Sequence, residues 1–402
     1  MPKGFYFLIG AQFASGLADN ALLILGIYFL NEQGYPGWLA PLLKFSLTLA
    51  YVVLASVVGP LADAFPKNRL MACMNALKMM GVLLLLCGVY PLYAFAVIGL
   101  AASLYAPAKY GLATESVPPS FLVRANAWLE VSVVLSVVLG ISLGGALTGW
   151  SESAMLLDSG FIQTHTLPAM GVVLAVYLLA AIFNFGIKPI RMRGASLPLT
   201  WHAVRPSTFW KSNQKLWRDP LGGVSLYVTT LYWGVGAVMQ FAVLAWAQQS
   251  LDLTLKFGAY LQALVAVGVI VGAYLAGRCF KLHAARQALP WGLVLAMLLP
   301  VMVMVTHLGL AILLLLVVGV CGGMLLVPMN ALLQHRGMQV LSAGRSIAVQ
   351  GFNENLSVLM MLAAYTALLA FGASLSFIMA LLAAVLLAGM VPLCLLLWRQ
   401  LR

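Results

Sequence analysis

Several ionisable side chains lie inside long apolar stretches, where a charge is costly and therefore informative. Asp19 lies midway along the first apolar run, and Glu354 lies in a polar stripe of helical period late in the chain. Lys78, Lys109 and Glu130 occupy three other apolar stretches. A charged side chain at the centre of a bilayer costs about 2.5–3.5 kcal/mol on insertion scales, and such residues commonly bind substrates or carry protons. These five positions are therefore the first candidates for chemistry, with Asp19 foremost.

The composition is typical of a helical membrane protein. Of the 402 residues, 63% are hydrophobic and only 8% are charged, and the mean hydropathy is +1.01. A soluble domain is about half apolar and about one quarter charged, and a spanning helix needs about 20 residues. We therefore predict an all-α polytopic membrane protein with twelve transmembrane helices. The predicted spans are 5–30, 41–61, 70–90, 91–113, 121–147, 167–187, 221–247, 256–277, 286–305, 307–333, 343–370 and 373–398.

The net charge of +12 invites a nucleic-acid interpretation, but the positions of the charges favour a topological one. Basic residues cluster after spans two, six, eight, ten and twelve, which all lie on one side if the span count is right. The opposite loops hold Glu32, Glu152, Asp158 and Asp252. Because cytoplasmic loops of membrane proteins carry the excess of Lys and Arg, we expect both termini to be cytoplasmic and expect no nucleic-acid partner.

The two halves of the sequence repeat weakly. The interval from Pro107 to Arg124 equals the interval from Pro328 to Arg345, and each arginine opens the fifth span of its half. A six-plus-six repeat is the layout of a two-bundle secondary transporter, for which a monomer is the default. The predicted domains are an amino-terminal six-helix bundle at 1–187, a cytoplasmic basic linker at 188–219 and a carboxy-terminal six-helix bundle at 220–402.

The loop after span two carries a charged motif with a mechanical interpretation. Residues 59–69 resemble the loop signature of the major facilitator superfamily, in which Gly59 and Asp63 match and two other positions depart from the pattern. An acid at a helix end can latch a cytoplasmic gate, and we expect its partner to be Arg124 or Arg345. An ordinary solvated turn is the alternative. The predicted gating residues are Asp63, Lys67, Arg69, Arg124 and Arg345.

Intramembrane polarity is unequal between the halves, and this indicates the kind of substrate. The amino-terminal half holds four of the five charges, whereas the carboxy-terminal half has Glu354 and few other polar groups. A cavity charged on one wall and apolar on the other suits an amphiphile with a zwitterionic or anionic head. The predicted substrate-binding residues are Asp19, Asn20, Lys78, Tyr105, Lys109, Glu130, Trp233, Gln240, Asn353 and Glu354. For each intramembrane charge, a structural ion pair between packed helices is the alternative.

Four stretches together resemble the bacterial lysophospholipid transporter family of the major facilitator superfamily. They are GLADNALL at 16–23, YAPAKYG at 105–111, VPMNALLQ at 327–334, and AGRSIAVQ at 343–350 continued by NEN at 353–355. The resemblance implies movement of lysophosphatidylethanolamine and related lipids from the outer to the inner leaflet of the bacterial inner membrane. It also implies a functional link to a reacylating acyltransferase/acyl-carrier-protein synthetase. The family can carry a basic residue where this chain has Gln240.

In the expected mechanism, Asp19, with or without Glu130, attracts the ammonium of the headgroup. Lys109 or Lys78 attracts the phosphate, and the acyl chain lies against the apolar wall or between helices. We expect no cofactor, no metal and no enzymatic activity, because no phosphate-binding loop and no H-x-x-x-x-D motif occurs. The alternative function is a proton-coupled exporter of amphiphilic drugs, with Asp19 or Glu354 as proton site. The absence of proline from the glycine motif at 140–145 counts mildly against it.

Overall fold

The computed structural model describes residues 1–32, 34–35, 39–153, 167–187, 199–253 and 255–401. Within these ranges the chain forms α-helices and two short 3-10 turns, without a strand. The helices are α1 (Lys3–Glu32), α2 (Leu39–Val53), α3 (Ala55–Ala64), α4 (Lys67–Leu86), α5 (Pro91–Ser116), α6 (Leu122–Ser153), α7 (Leu167–Gly186), α8 (Trp201–Val204), α9 (Pro206–Trp217), α10 (Gly222–Ser250), α11 (Leu255–Cys279), α12 (Leu289–Met304), α13 (Leu308–Val340), α14 (Ala343–Ala370) and α15 (Leu375–Leu401).

The number of membrane-spanning helices agrees with the sequence prediction. Among the described residues, 11 helices are long and apolar enough to cross a bilayer, and α2 with α3 completes a twelfth if the two are one broken span. These two helices are bent by 69° relative to each other, and Leu54 lies at the break with φ −91° and ψ 1°. Pro60 inside α3 has no N–H to donate to the preceding turn, so the helix is also weakened beyond the break.

Some predicted boundaries move. Helix α13 continues to Val340, so Arg336 lies in its last turns rather than in a loop after residue 333. The predicted linker at 188–219 contains α8 and α9 in its later part. Four of the loop charges on which the predicted topology depends lie outside the described residues, namely Asp158, Lys188, Arg191 and Arg193.

The chain divides into two compact units, which group residues differently from simple chain order. Unit 1 comprises residues 1–117, 132–213 and 341–351, and unit 2 comprises residues 118–131, 214–340 and 352–402. The start of α6 therefore belongs to unit 2, and the start of α14 belongs to unit 1. The three-part division into an amino-terminal bundle, a linker and a carboxy-terminal bundle stays a prediction.

Unit 1 is built around α1, which packs against α7, while α4 packs against α5 and α7. Its main core contains buried alanines and leucines of α1, such as Ala18 and Leu22, with Phe95 of α5 and Tyr177 of α7. Small residues let α6 approach α1 closely, because a Cβ atom on Gly140 would lie 2.6 Å from the carbonyl oxygen of Leu17. This packing fixes the face of α1 that carries Asp19.

Unit 2 has an apolar core formed by residues of α10, α12, α13 and α15. Its main cluster includes Trp246 of α10, Leu299 and Met302 of α12, Leu315 of α13 and Met379 of α15, all of them with no exposed surface. Helices α11 and α13 cross at very short range through glycines on both helices, namely Gly268, Gly272, Gly319 and Gly323. A helix pair packed backbone to backbone is rigid, because side-chain rearrangement cannot relieve a change in its spacing.

Candidate functional site: an ion pair inside unit 1

The charged centre of unit 1 is an ion pair between α1 and α4. The Nζ atom of Lys78 donates a hydrogen bond to Oδ2 of Asp19 at 2.7 Å, and the side chains are 1% and 30% exposed respectively. The Tyr177 hydroxyl of α7 donates to the other carboxylate oxygen, also at 2.7 Å. The two predicted charges are therefore brought together, and the alternative of a structural ion pair applies to Lys78. Asp19 remains the partly accessible member.

Besides Asp19, the ammonium of Lys78 contacts one further polar side chain and two aromatic rings. Its ammonium also donates to the Ser15 hydroxyl at 3.0 Å, and that hydroxyl donates to the Asn75 side-chain oxygen at 2.9 Å. The ammonium lies 4.9 Å from the ring centre of Tyr105 and 5.7 Å from that of Tyr177. Cations are attracted to aromatic faces at such distances. Lys78 is thus held by two anionic or polar oxygens and two rings.

Sequence reasoning missed two members of this cluster. Ser15 precedes Asp19 by four residues, so helical spacing alone could have placed it on the same face. Tyr177 stands in the middle of an apolar span, where a phenol attracts less attention than a charge. A buried tyrosine hydroxyl normally has a hydrogen-bond partner, and that general rule was the available signal.

The other predicted binding residues of unit 1 have local contacts. The Asn20 amide donates to the backbone oxygen of Gly16, one turn earlier, at 2.8 Å. Tyr105 is 4% exposed, and its hydroxyl has no hydrogen-bond partner among the described atoms. Lys109 is 8% exposed, and its ammonium lies 4.2 Å from the ring centre of Tyr110. Of these three, only Tyr105 belongs to the Asp19 cluster.

The predicted binding residues of unit 2 are dispersed. Glu130 is buried and Glu354 is half-buried. The side-chain oxygen of Asn353 accepts from the indole N–H of Trp217 at 3.1 Å. Trp233 and Gln240 have exposed side chains, and the backbone oxygen of Gln240 accepts from Gln262.

The predicted latch residue Asp63, in the last turn of α3, contacts the amino end of α14. Its buried carboxylate accepts from the backbone N–H of Gly344 at 2.8 Å, from that of Arg345 at 3.3 Å, and from the Ser342 hydroxyl. The first N–H groups of a helix have no partner within the helix and carry partial positive charge. Asp63 thus reaches the segment expected of it, but through backbone and hydroxyl donors rather than through a guanidinium.

The remaining predicted gating residues occupy different settings. Lys67 forms an ion pair with Glu115 at 2.8 Å, and its side chain is 3% exposed. Arg69 and Arg124 are exposed. Arg345 packs against Gly59, where an added Cβ atom would lie 2.9 Å from the Arg345 Cα. Among the gating residues, Asp63 and Arg345 are therefore brought together and the other three lie apart from that contact.

Unit 2 contains an ion pair that the sequence did not lead us to expect. Arg336 binds the carboxylate of Asp219 through two nitrogens, at 2.6 and 3.1 Å. The same carboxylate accepts from the backbone N–H of Gly222 at the start of α10, at 2.7 Å. The hydrogen bond from Arg336 holds the pKa of Asp219 below its usual range, and the bond from Gly222 acts in the same direction. An aspartate three residues before a glycine-led helix start is a recognisable cap, and that was the missed signal.

A buried amide pair is also new. Asn126 and Gln334 exchange two hydrogen bonds, at 2.9 and 2.8 Å, between the start of α6 and the end of α13. Among the described residues, no group of three or more His, Cys, Asp or Glu side chains could hold a metal ion.

Comparison with known proteins places the chain in a family. Residues 8–358 match the model of the Major Facilitator Superfamily. The chain is 34% identical over 365 residues to the Lysophospholipid transporter LplT of Yersinia pestis (strain Pestoides F), covering 90% of this chain and 86% of that protein. The same protein of Yersinia pseudotuberculosis serotype O:3 (strain YPIII) matches equally, with the same coverage.

Solved structures support the fold. The Escherichia coli fucose:proton symporter FucP is similar with a TM-score of 0.74 and 14% identity, covering 97% of this chain and 98% of that one. The human organic anion transporter MFSD10 is similar with a TM-score of 0.73 and 14% identity, covering 98% and 100%. At this identity the likeness concerns the fold alone. The relatives at 34% identity are named as transporters, and the chain belongs to the bacterial lysophospholipid transporter family of the Major Facilitator Superfamily.

Proposed function

We propose that this protein moves lysophospholipids, such as lysophosphatidylethanolamine, from the outer to the inner leaflet of the bacterial inner membrane by alternating access. The observation that carries the proposal is the half-exposed carboxylate of Asp19 in the middle of α1. A carboxylate at this depth needs a reason to be accessible, and the ammonium of a phosphoethanolamine headgroup supplies one. The relatives are lysophospholipid transporters by name, which agrees with this substrate and does not favour a drug exporter.

The phosphate of the headgroup requires a cation, and the contacts favour one lysine over the other. Lys78 is already bound to Asp19 and Ser15 and is 1% exposed. Because Lys78 is committed to Asp19, we propose the other lysine of the amino-terminal apolar stretches, Lys109 of α5, as the ligand of the phosphate. The roles predicted for Asn20, Tyr105, Glu130, Trp233, Gln240, Asn353 and Glu354 stay predictions, as does the apolar site of the acyl chain.

The contact between Asp63 and the start of α14 is the proposed gate latch. Glycines allow it, because a Cβ on Gly344 would lie 2.5 Å from the Gly59 carbonyl oxygen and 2.7 Å from Oδ1 of Asp63. The carboxylate has neutral donors here, so no strong ion pair must break when the contact opens. We infer that this contact closes one conformation of the transport cycle and is released in another. Lys67 supports it indirectly, through its pair with Glu115.

The setting of the protein completes the proposal. We place both termini in the cytoplasm, because the basic loops predicted from the sequence require that side. We propose that the chain acts as a monomer. The lipid delivered to the inner leaflet is the substrate of an acyltransferase/acyl-carrier-protein synthetase, which restores the second acyl chain and so completes phospholipid remodelling.

The test is transfer of labelled lysolipid by the purified protein in reconstituted vesicles, with and without an ion gradient. We expect transfer of lysophosphatidylethanolamine, and weaker transfer of lysophosphatidic acid, which has the phosphate but lacks the ammonium. Protein-free vesicles are the control for spontaneous movement. Gradient-driven uptake of an amphiphilic dye without any lysolipid transfer would overturn the proposal.

A further inference from the structure

Lys78 has no free surface with which to bind a substrate. Its side chain is 1% exposed, and its ammonium is bound to Asp19 at 2.7 Å and to Ser15 at 3.0 Å. The rings of Tyr105 and Tyr177 lie over the same ammonium. Removing an ammonium from water costs several kcal/mol unless it is paired and hydrogen-bonded. We therefore explain the burial of Lys78 by its effect on the groups around it.

Asp19 is the group that Lys78 serves. Among the described residues, each carboxylate oxygen has one donor, Lys78 on Oδ2 and Tyr177 on Oδ1. A carboxylate offers about four acceptor positions, so lone pairs remain on both oxygens. The Asp19 side chain is 30% exposed, and these lone pairs can therefore meet a further donor. The two bonds fix the orientation of the carboxylate before any ligand arrives.

The pair also decides the charge of the site. A half-buried carboxylate without a counter-ion tends to take up a proton or a metal cation. Lys78 removes that need because it supplies a permanent positive charge from within unit 1. In the part of the chain that the structure describes, the other titratable groups that interact with Asp19 are phenols, namely Tyr177 of α7, Tyr105 of α5 and Tyr51 of α2. Phenols carry no charge near neutral pH, so they cannot substitute for Lys78.

We propose that Lys78 is a built-in counter-ion that holds the Asp19 carboxylate in position for the ammonium of the headgroup. This rests on the function proposed above and makes Lys78 a positioning residue rather than a ligand of the lipid. The pair of Asp19 and Lys78 carries no net charge of its own, and a zwitterionic headgroup adds none.

The first test does not involve the lipid. Thermal midpoints of the detergent-solubilised wild type, Lys78→Met, and Lys78→Met combined with Asp19→Asn are compared at about pH 8 and about pH 5. We expect Lys78→Met to lower the midpoint most at the higher pH, because protonation of the stranded carboxylate relieves its burial at the lower pH. The double variant should recover most of the loss at both. Lys44→Met, which removes an exposed lysine of α2, is the matched control.

The second test measures lysolipid transfer in reconstituted vesicles. We expect Lys78→Met to transfer lysophosphatidylethanolamine more than about tenfold more slowly than the wild type, and Lys78→Arg to retain more activity than Lys78→Met. A Lys78→Met rate equal to that of the wild type would overturn the positioning role. So would a Lys78→Met midpoint loss that is independent of pH and persists in the double variant. If the wild type moves no lysolipid at all, the proposed function fails, while the midpoints still decide the role of Lys78.

Discussion

The ion pair at Asp19 in unit 1 and the ion pair at Asp219 in unit 2 differ in where they lie along their helices. Unit 1 carries an ion pair near the middle of its helices, where Asp19 of α1 meets Lys78 of α4. In unit 2, the ion pair of Asp219 and Arg336 lies at helix ends, and its largest core cluster is apolar. Charge at a helix end is supported by water and by the helix dipole, whereas charge at mid-span must be offset by specific partners.

This difference indicates that the ion pair of unit 1 belongs to a binding site and that the ion pair of unit 2 stabilises the fold. Unit 1 bears the cost of a buried ammonium and leaves a carboxylate partly accessible, which is useful only if something binds there. In unit 2, the amide pair of Asn126 and Gln334 joins two helix ends in the same way as the ion pair of Asp219 and Arg336. We therefore expect substitutions in these two pairs to affect folding, and substitutions around Asp19 to affect transport first.

The largest effect is expected in the closely packed helices of unit 2. In Gly323→Leu, the new Cβ atom would meet the Val269 backbone oxygen at 2.5 Å, and backbone atoms cannot rotate away. Overpacking of a core costs about 1–3 kcal/mol, and we expect at least the upper end here, seen as loss of folded protein from the membrane. Gly309→Leu, where nothing lies within 4 Å of the added atom, should express normally. Equal behaviour of the two variants would contradict the close crossing.

The two aspartates at helix starts offer the next contrast. Asp63→Ala removes the carboxylate that accepts three hydrogen bonds at the start of α14. Loss of a helix cap costs about 0.5–2 kcal/mol. We expect it to shift the balance of conformations by about tenfold, measured by the reactivity of cysteine probes on the two faces of the membrane. Asp219→Ala, which removes the acceptor at α10, should lower stability without that shift. Unchanged probe reactivity in Asp63→Ala would argue against the latch.

An effect of similar size is expected from the phenol that orients Asp19. Tyr177→Phe keeps the ring over Lys78 but removes the donor to Oδ1 of Asp19. A hydrogen bond to a charged group contributes about 1.5–3 kcal/mol, so lysolipid transfer should fall about tenfold while the thermal midpoint changes little. Tyr274→Phe in α11 is the matched control, since its ring rather than its hydroxyl contacts Arg278. A wild-type rate in Tyr177→Phe would remove the hydroxyl from the site.

The smallest effect concerns the ion pair of unit 2 and its pH dependence. Because Arg336 lowers the pKa of Asp219 below its ordinary value of 3.8, the pair stabilises the folded state above that value. Its contribution is lost as the pH falls through the still lower pKa of the folded state. Thermal midpoints measured down this acidic range should fall more steeply for the wild type than for Asp219→Asn. Parallel curves would show that the pair contributes no measurable stability.

The depth of the charges was predictable, but their partners were not. Apolar runs locate Asp19 and Lys78 along their helices, and the sequence predicts all-helical spans near the observed positions. It does not state which helices are neighbours, so the pairing of α1 with α4 and the part played by Tyr177 appear only in three dimensions. For Asp63 the sequence suggested an arginine, because unpaired backbone N–H groups at a helix start are not visible as a residue type. The break at Leu54 has no proline at the bend itself to announce it.

The central claim is that Asp19 binds the ammonium of the transported lipid, and one measurement tests it directly. Transfer of labelled lysophosphatidylethanolamine is compared between wild type and the paired variant Asp19→Asn with Lys78→Met, which leaves no stranded charge in α4. We predict folded protein in the membrane and no transfer above that of protein-free vesicles. Wild-type transfer by the paired variant would contradict the account, because no carboxylate would then remain at the proposed headgroup site.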